Sequence, residues 1–347
     1  MKKNRSFRLL FIIVLLIIIF FGWFIFGPSA HAPSDKYFYI STGSDYKQVR
    51  QKLLKENILS GTFIFDQLAK YSHYDKNIKP GRYKVSNGMS VFSLLRMFRS
   101  GRQSPVNLLI IKIRTKEELA KKFADNFEFD SLTAINFLQN NDSLSKFKLD
   151  SNTVMTAIIP NTYISQWNIT VGKLFKKLVS QQQKFWTEER KEKANDKELS
   201  PTQVYILASL VEEETNKNED KGKIASVYIN RLRSNMKLAA DPTVKFAMRD
   251  FALKRIYYKY LLYPSPYNTY LHTGLPPGPI CTPSVRTIDA VLNAPSTNYL
   301  FFVAKPDFSG YSNFASNYTE HDRFAKEYQH ALDSLILAKA NKKNSEP

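Results

Sequence analysis

The sequence predicts an α+β protein: a single N-terminal transmembrane helix, a small α+β module and a larger, mostly helical α+β domain. Three observations carry that expectation. Residues 9–26 contain no charged or strongly polar side chain, residues 36–113 alternate short strand-like and helical patterns, and from Thr115 onward the apolar spacing becomes longer and mostly helical. The 347 residues exceed one ordinary domain of about 100 to 200 residues. A content of 43% hydrophobic and 14% aromatic residues supplies two cores and excludes global disorder.

The chain opens with Lys2, Lys3, Arg5 and Arg8 and no acid. The apolar run that follows, at about 1.5 Å per residue, reaches roughly 27 Å, just enough to span a hydrocarbon core. A cleaved signal peptide is the other reading, because Ser29, Ala30, His31 and Ala32 leave room for a small-residue cleavage site. The length and bulk of the run, with Trp23 near its outer end, favour a retained anchor. Cations before the run and none immediately after it place residues 1–8 in the cytoplasm and the body of the chain outside. Lys and Arg number 50 against 31 Asp and Glu, a net charge of +19, so the exported part is basic. Its partners there are anions, lipid head groups or acidic wall polymer, unless the charge is simply a solvated lysine-rich surface. Nucleic acid, the usual partner of such a charge, is excluded by this topology. The single cysteine, Cys281, rules out an internal disulfide framework, a cysteine zinc cage and an iron–sulfur cluster. No cofactor and no metal are expected.

Residues 27–35, rich in Pro, Ser and Ala, read as a tether. In the module at 36–113, a strand at 37–40 precedes helices at 45–55 and 62–71, a strand at 80–85, a helix at 90–99 and a strand at 106–112. Asp45 and Ser90 are placed as helix N-caps, and no catalytic constellation appears. In the domain at 114–347, Thr115-Lys116-Glu117-Glu118 opens a helix as a capping box. An amphipathic helix at 172–186 is followed by an almost wholly charged or polar stretch at 187–198.

Ser200-Pro201-Thr202-Gln203 is a strong helix start, with Ser at the N-cap, Pro at the first helical position and Gln three residues after the cap. At about 100° per residue, Val204, Leu207, Ala208, Leu210 and Val211 form one apolar face. Three carboxylates follow. Glu214 falls on the centre of the apolar stripe, Glu213 points nearly opposite, and Glu212 lies at the stripe's edge. An acid on the buried face at a helix's C-terminal end is disfavoured by desolvation and by the negative end of the macrodipole, and both raise its pKa. A carboxylic acid kept protonated near neutrality is what glycosidic cleavage requires of a general acid. The alternative is a glutamate paired with Arg231 or Arg233 on the helix at 224–233.

Around it lie loops of fixed backbone. Asp241-Pro242-Thr243-Val244 reads as an N-cap with Pro opening a short helix, and residues 267–270 and 273–280 as rigid loops. Loops stiffened by Pro and carrying Asn, Thr and Tyr suit a saccharide, whose hydroxyls meet amides and whose ring CH groups meet aromatic faces. Thr282-Pro283 opens a helix to about Asn293. A buried strand at 299–304 pairs with 313–318, and Thr319 caps a closing helix over 322–339. His321 is a metal ligand or a hydrogen-bonded histidine, and no HExxH spacing supports the former.

The run Ala208-Ser209-Leu210-Val211-Glu212-Glu213-Glu214-Thr215, with Ala225-Ser226-Val227-Tyr228-Ile229-Asn230-Arg231-Leu232, Asp241-Pro242-Thr243-Val244, Tyr267-Asn268-Thr269-Tyr270 and Thr273-Gly274-Leu275-Pro276-Pro277-Gly278-Pro279-Ile280, resembles the YceG-like family of membrane-anchored endolytic murein transglycosylases. The resemblance covers nearly the whole chain, and Lys79-Pro80-Gly81-Arg82-Tyr83 is similar to the family's small LysM-like module. In the family's Glu-x-Glu-Thr motif the second glutamate is catalytic, which falls on Glu214. The resemblance implies non-hydrolytic cleavage inside nascent peptidoglycan strands to leave 1,6-anhydro ends and stop elongation, with peptidoglycan synthases as partners. Glu212, Asp241, Tyr267, Asn268, Thr269, Tyr270, Gly274, Leu275 and Pro276 are the expected substrate contacts. Two departures stand out: Asn161 replaces the acid of a Pro-Asp-Thr-Tyr-like tetrapeptide, and Ser312 and Asn313 precede Phe314 where relatives often carry His. A non-catalytic wall-binding scaffold is the alternative function.

Overall fold

The structure, a computed structural model, describes residues 2–253 and 255–344. Met1, at the head of the expected cytoplasmic segment 1–8, and residues 345–347, at the end of the expected domain 114–347, lie outside the described residues. The chain divides into two compact units, one of Met1–Leu108, Phe123–Asp130 and Ile164–Thr170, the other of Leu109–Lys122, Ser131–Tyr163 and Val171–Pro347. Two short segments beyond residue 114 thus belong to the first unit.

The first unit begins with α1 (Lys2–Phe26), continuous from the N-terminal cations into the apolar run. Its stretch Phe7–Phe26 is long and apolar enough to cross a membrane by length and composition, and none of it is buried in the protein. Then follow β1 (Tyr37–Ile40), α2 (Tyr46–Lys55), α3 (Phe63–Tyr71), β2 (Gly81–Lys84) and α4 (Val91–Ser100). β1 and β2 pair antiparallel, Tyr37 opposite Lys84 and Ile40 opposite Gly81. The caps expected at Asp45 and Ser90 form: Asp45 and Gln48 make a reciprocal capping box, and the Ser90 hydroxyl accepts from the Ser93 amide at 3.2 Å. Phe38, Phe65, Tyr74, Tyr83 and Phe98 are fully buried and cluster on Phe98, with Phe38 and Phe98 stacked at 5.5 Å.

The chain continues through β3 (Val106–Ile110), α5 (Lys116–Ala124), α6 (Ser131–Gln139), α7 (Asn141–Ser145), β4 (Asn161–Ser165), α8 (Val171–Phe185) and α9 (Glu188–Asp196). The polar stretch before residue 200 is therefore itself helical. The Thr187 hydroxyl caps it, and the Arg190 guanidinium ties it to Asp289 at 3.1 Å. The elements that build the site follow: α10 (Pro201–Glu214), α11 (Asn218–Arg233), α12 (Asp241–Ala247), α13 (Tyr258–Leu261), α14 (Val285–Leu292), the antiparallel pair β5 (Phe301–Ala304) and β6 (Ser312–Ala315), and α15 (Tyr318–Asn344).

α10 starts as its sequence dictates. The Ser200 amide donates to the Gln203 side chain at 2.8 Å and the Gln203 amide to the Ser200 hydroxyl at 3.3 Å. Beyond that the helix departs from the amphipathic expectation, since every residue from Val204 to Val211 is buried, not one stripe. The polar members of the other faces are satisfied internally: Tyr205 donates to the Ile158 carbonyl at 2.5 Å, and Ser209 donates to the Ile206 carbonyl and accepts from the Ile280 amide. α10 is the central rod of the second unit, enclosed by Ile224, Ala225 and Tyr228 of α11 and Ile288, Val291 and Leu292 of α14.

Three caps shift by a few residues. Ala240 occupies the N-cap position of α12 and Asp241 begins the helix, Ser284 caps α14 in place of the Thr282-Pro283 step, and Asn317, not Thr319, accepts the Glu320 amide at the start of α15. The hairpin strands β5 and β6 are mostly half-buried, not buried. In the loop before α14, a Cβ on Gly278 would lie 2.1 Å from the Asn152 carbonyl oxygen. Gly278→Ala is therefore expected to lower stability by about 1–3 kcal/mol, read as a fall in the midpoint of chemical denaturation; an unchanged midpoint contradicts the close packing.

Candidate active site

The C-terminal turn of α10 presents three consecutive carboxylates, and the fold gives each a different environment. Glu213 accepts a bidentate pair from Arg114 Nε and Nη2, both at 3.1 Å, and a third contact from Lys112 Nζ at 2.8 Å. Burial alone raises its pKa; the Arg114 and Lys112 contacts outweigh that and hold it below the usual carboxylate range. Glu212 Oε2 accepts from Lys221 Nζ at 3.0 Å, Ser284 Oγ at 3.0 Å and Thr287 Oγ1. Burial again works against its charge, and again these donors win, so its pKa is lowered. Lys221 is itself buried, so this ion pair fastens the ends of α10, α11 and α14 together.

Glu214 is half-buried and has no cation within ion-pair distance among the described residues. Among the described residues its one hydrogen bond comes from the phenol of Tyr228 on α11, which donates to Oε1 at 2.7 Å. The ion pair that would have made Glu214 structural is absent because both arginines are engaged elsewhere. Arg231 donates to the carbonyls of Leu300 at 2.7 Å and Leu238 at 2.6 Å, and Arg233 pairs with Glu198 at 2.9 Å. Burial pushes the Glu214 carboxyl from 4.5 to about 7; the Tyr228 hydrogen bond opposes this, the charge of Asp241 adds to it, and Lys245 and Arg231 oppose it weakly. A partly open carboxyl that keeps its proton to near neutrality can donate it to a leaving oxygen and afterwards take one back.

The surrounding loops divide between contact and scaffold. Asp241 does not cap α12; its carboxylate accepts from the Tyr270 hydroxyl at 2.6 Å, and both groups are close enough to influence the charges around Glu214. Asn268 and Thr269 are interior. The Asn268 amide donates to the Leu261 and Tyr263 carbonyls and accepts from the Tyr270 amide, while the Thr269 hydroxyl accepts from the Ala240 amide and meets Thr243 at 2.9 Å. Their polar groups are spent on holding Tyr270 and the start of α12 in place. Tyr267 is half-buried against Phe246, its ring 4.8 Å away. Gly274, Leu275 and Pro276 line a different depression of about 450 Å³ with Gln203, Ile206 and Ile229. Gln203 is eleven residues before Glu214, roughly 16 Å along the helix. Asn161 is exposed and accepts from the Thr162 amide, and the Ser312 amide donates to Asp220 at 2.7 Å.

Sequence patterning did not single out Tyr228, Lys221, Lys112, Arg114 or Lys245. Each reaches the carboxylate turn from another element, and only the apolar setting of Tyr228 on α11 hinted at an inward-facing phenol. His321 stacks on Phe301 at 5.1 Å, and its Nδ1 has no hydrogen-bond partner among the described residues. Among the described residues, no three His, Cys, Asp or Glu side chains gather to hold a metal ion.

Ionisation of Glu214 should be visible in stability. A folded-state pKa raised above the unfolded value means that the contribution is complete below about pH 4 and is lost as pH rises through 7. Glu214→Gln is expected to be more stable than wild type at pH 8, by up to about 3 kcal/mol, with the gap closing toward pH 5. Parallel melting curves across that range would show that the carboxyl is not desolvated.

The model of the YceG-like family matches residues 38–327. An endolytic murein transglycosylase of Bacillus subtilis strain 168 is 27% identical over 329 residues, covering 88% of this chain and 90% of the relative. A protein of the same name from Streptococcus pneumoniae serotype 2 strain D39 is 27% identical over 332 residues, covering 83% of this chain and 57% of that longer protein. The crystal structure of a YceG-like protein, lmo1499, from Listeria monocytogenes superposes with a TM-score of 0.53 at 24% identity, over 83% of this chain and 98% of that one, which shows a shared fold. With the family matched from β1 into α15, the chain belongs to the YceG-like family.

Proposed function

We propose that the protein is an endolytic murein transglycosylase, a lyase that cuts between N-acetylmuramic acid and N-acetylglucosamine within nascent glycan strands and so ends their elongation. The names of the curated relatives support the reaction class. The observation that carries the residue assignment is Glu214: half-buried, unpaired with any cation among the described residues, held by Tyr228 and protonated to about pH 7.

Glu214 protonates the bridging oxygen as the glycosidic bond breaks. As a carboxylate it then accepts the proton of the muramic 6-hydroxyl while that oxygen closes on its own anomeric carbon. The product is a 1,6-anhydro end and no water is consumed. An ordinary glycosidase needs a second carboxylate as nucleophile or to activate water; an intramolecular hydroxyl removes that need. Tyr228 positions the acid, and Tyr270 with Asp241 flanks it. Glu212 keeps the turn in place, Asn268 and Thr269 shape the wall, and Tyr267, Gly274, Leu275 and Pro276 extend the surface for the strand.

In this reading α1 is a single-pass anchor in the cytoplasmic membrane with its N-terminus inside, so the enzyme works where strands emerge beside their synthases. The module at 36–113 serves as a LysM-like glycan-binding module. The basic exported surface suits an anionic wall.

Incubating the full chain with purified strands is expected to yield anhydro-muropeptides by mass analysis, and Glu214→Gln to lower the rate by at least about 10³. Undiminished product from Glu214→Gln would sink the assignment, and no product from wild type would favour a non-catalytic scaffold. Because the acid must be protonated, kcat should fall above about pH 7. Tyr228→Phe removes a donor that favours the charged carboxyl, so it should move that limb to higher pH and slow turnover about tenfold; a limb that stays in place would show that Tyr228 does not act on Glu214.

A further inference from the structure

Beside the carboxylate turn is a cavity of about 120 Å³ lined by Arg114, Glu213, Lys245, Phe246, Phe251 and Ile280. We propose that it is a carboxylate-binding subsite, which seats the acidic group carried on the lactyl side of the muramic ring next to the bond being cut. This rests on the glycan reading above and extends it to substrate selection.

Charge is the first argument. Lys112 and Arg114 both serve the single acid Glu213, which leaves a cation in surplus, and Lys245 adds another. Among the described residues Lys245 makes no ion pair. The nearest acid on its own helix, Asp241 one turn earlier, is engaged by the Tyr270 hydroxyl. Two of the Arg114 donors go to Glu213, and Nη1 has no protein acceptor among the described residues.

Setting and size are the next arguments. Phe246, Phe251 and the buried Ile280 supply the apolar part of a mixed lining, beside which an ionic hydrogen bond is stronger than in open water. Pockets that hold whole small molecules run to about 300–1,000 Å³; this one admits a pendant group, not a sugar ring. Lys245 also acts electrostatically on Glu214, so an anion bound there bears on the charge of the reacting carboxyl. Inside a murein strand the anions that close to a cleaved bond are carboxylates, either the free lactyl group or those of the attached peptide. A bound carboxylate would neutralise Lys245 and remove one influence that favours ionised Glu214, so binding would tighten the acid's hold on its proton.

The test measures binding of soluble strands to the detergent-solubilised full chain carrying Glu214→Gln, with and without Lys245→Gln or Lys245→Arg. Four strands are used: peptide-bearing and amidase-stripped, each with its carboxyls free or converted to amides. Lys245→Gln is expected to weaken binding of a free-carboxyl strand roughly tenfold, to leave the amidated form of that strand unchanged, and to be rescued by Lys245→Arg. The arm that loses affinity on amidation names the source, peptide or lactyl. Equal weakening of all four strands, or of none, overturns the subsite. Cleavage by the wild-type chain is followed in parallel. Carboxylate-dependent binding without anhydro ends would remove the lyase reading and keep the subsite; anhydro ends without carboxylate dependence would do the reverse.

Discussion

Three adjacent carboxylates at the C-terminal end of a buried helix are an electrostatic problem, and the second unit is arranged around its solution. Each charge sits at the negative end of the helix dipole and is partly withdrawn from water. Two are neutralised by cations from other elements, Lys112 and Arg114, about 100 residues away, for Glu213 and Lys221, on the next helix, for Glu212. The third is given a phenol in place of a cation. Ionising Glu214 would put a charge where burial strips it of water and no cation pairs with it, so it stays protonated to about pH 7. The helix end thus carries two ion-paired carboxylates and a third held by a phenol alone among the described residues.

The same division of labour runs through the loops. Asn268 and Thr269 look like sugar-binding side chains, yet the fold spends their hydrogen bonds on backbone groups of neighbouring turns. A buried amide left without partners costs about 1–3 kcal/mol, so a loop of this shape needs such residues for its own sake. What they hold is Tyr270, whose hydroxyl reaches Asp241 beside the acid. Rigidity of the wall and access to the acid come from different residues of one tetrapeptide.

Much of the fold was legible locally. The caps at Asp45, Ser90 and Ser200, the apolar run of α1 and the start and end of α10 depend on neighbours within four residues, and they form where the spacing places them. The burial of α10 was not legible to the same degree. Tyr205, Ile206 and Ser209 fall outside the apolar stripe, and their enclosure depends on the Ile158 carbonyl and the Ile280 amide, 47 and 71 residues away.

Helical phase by itself determined that Glu214 follows the buried face, because 100° per residue fixes where a side chain leaves the helix whatever surrounds it. It could not decide between a proton donor and an ion-paired strut. That choice belonged to the tertiary structure: Arg231 and Arg233 are drawn off to the Leu300 and Leu238 carbonyls and to Glu198, while Tyr228 arrives at Oε1. Direction is a local property of the backbone. Partnership depends on which distant side chains the packed core brings within about 3 Å.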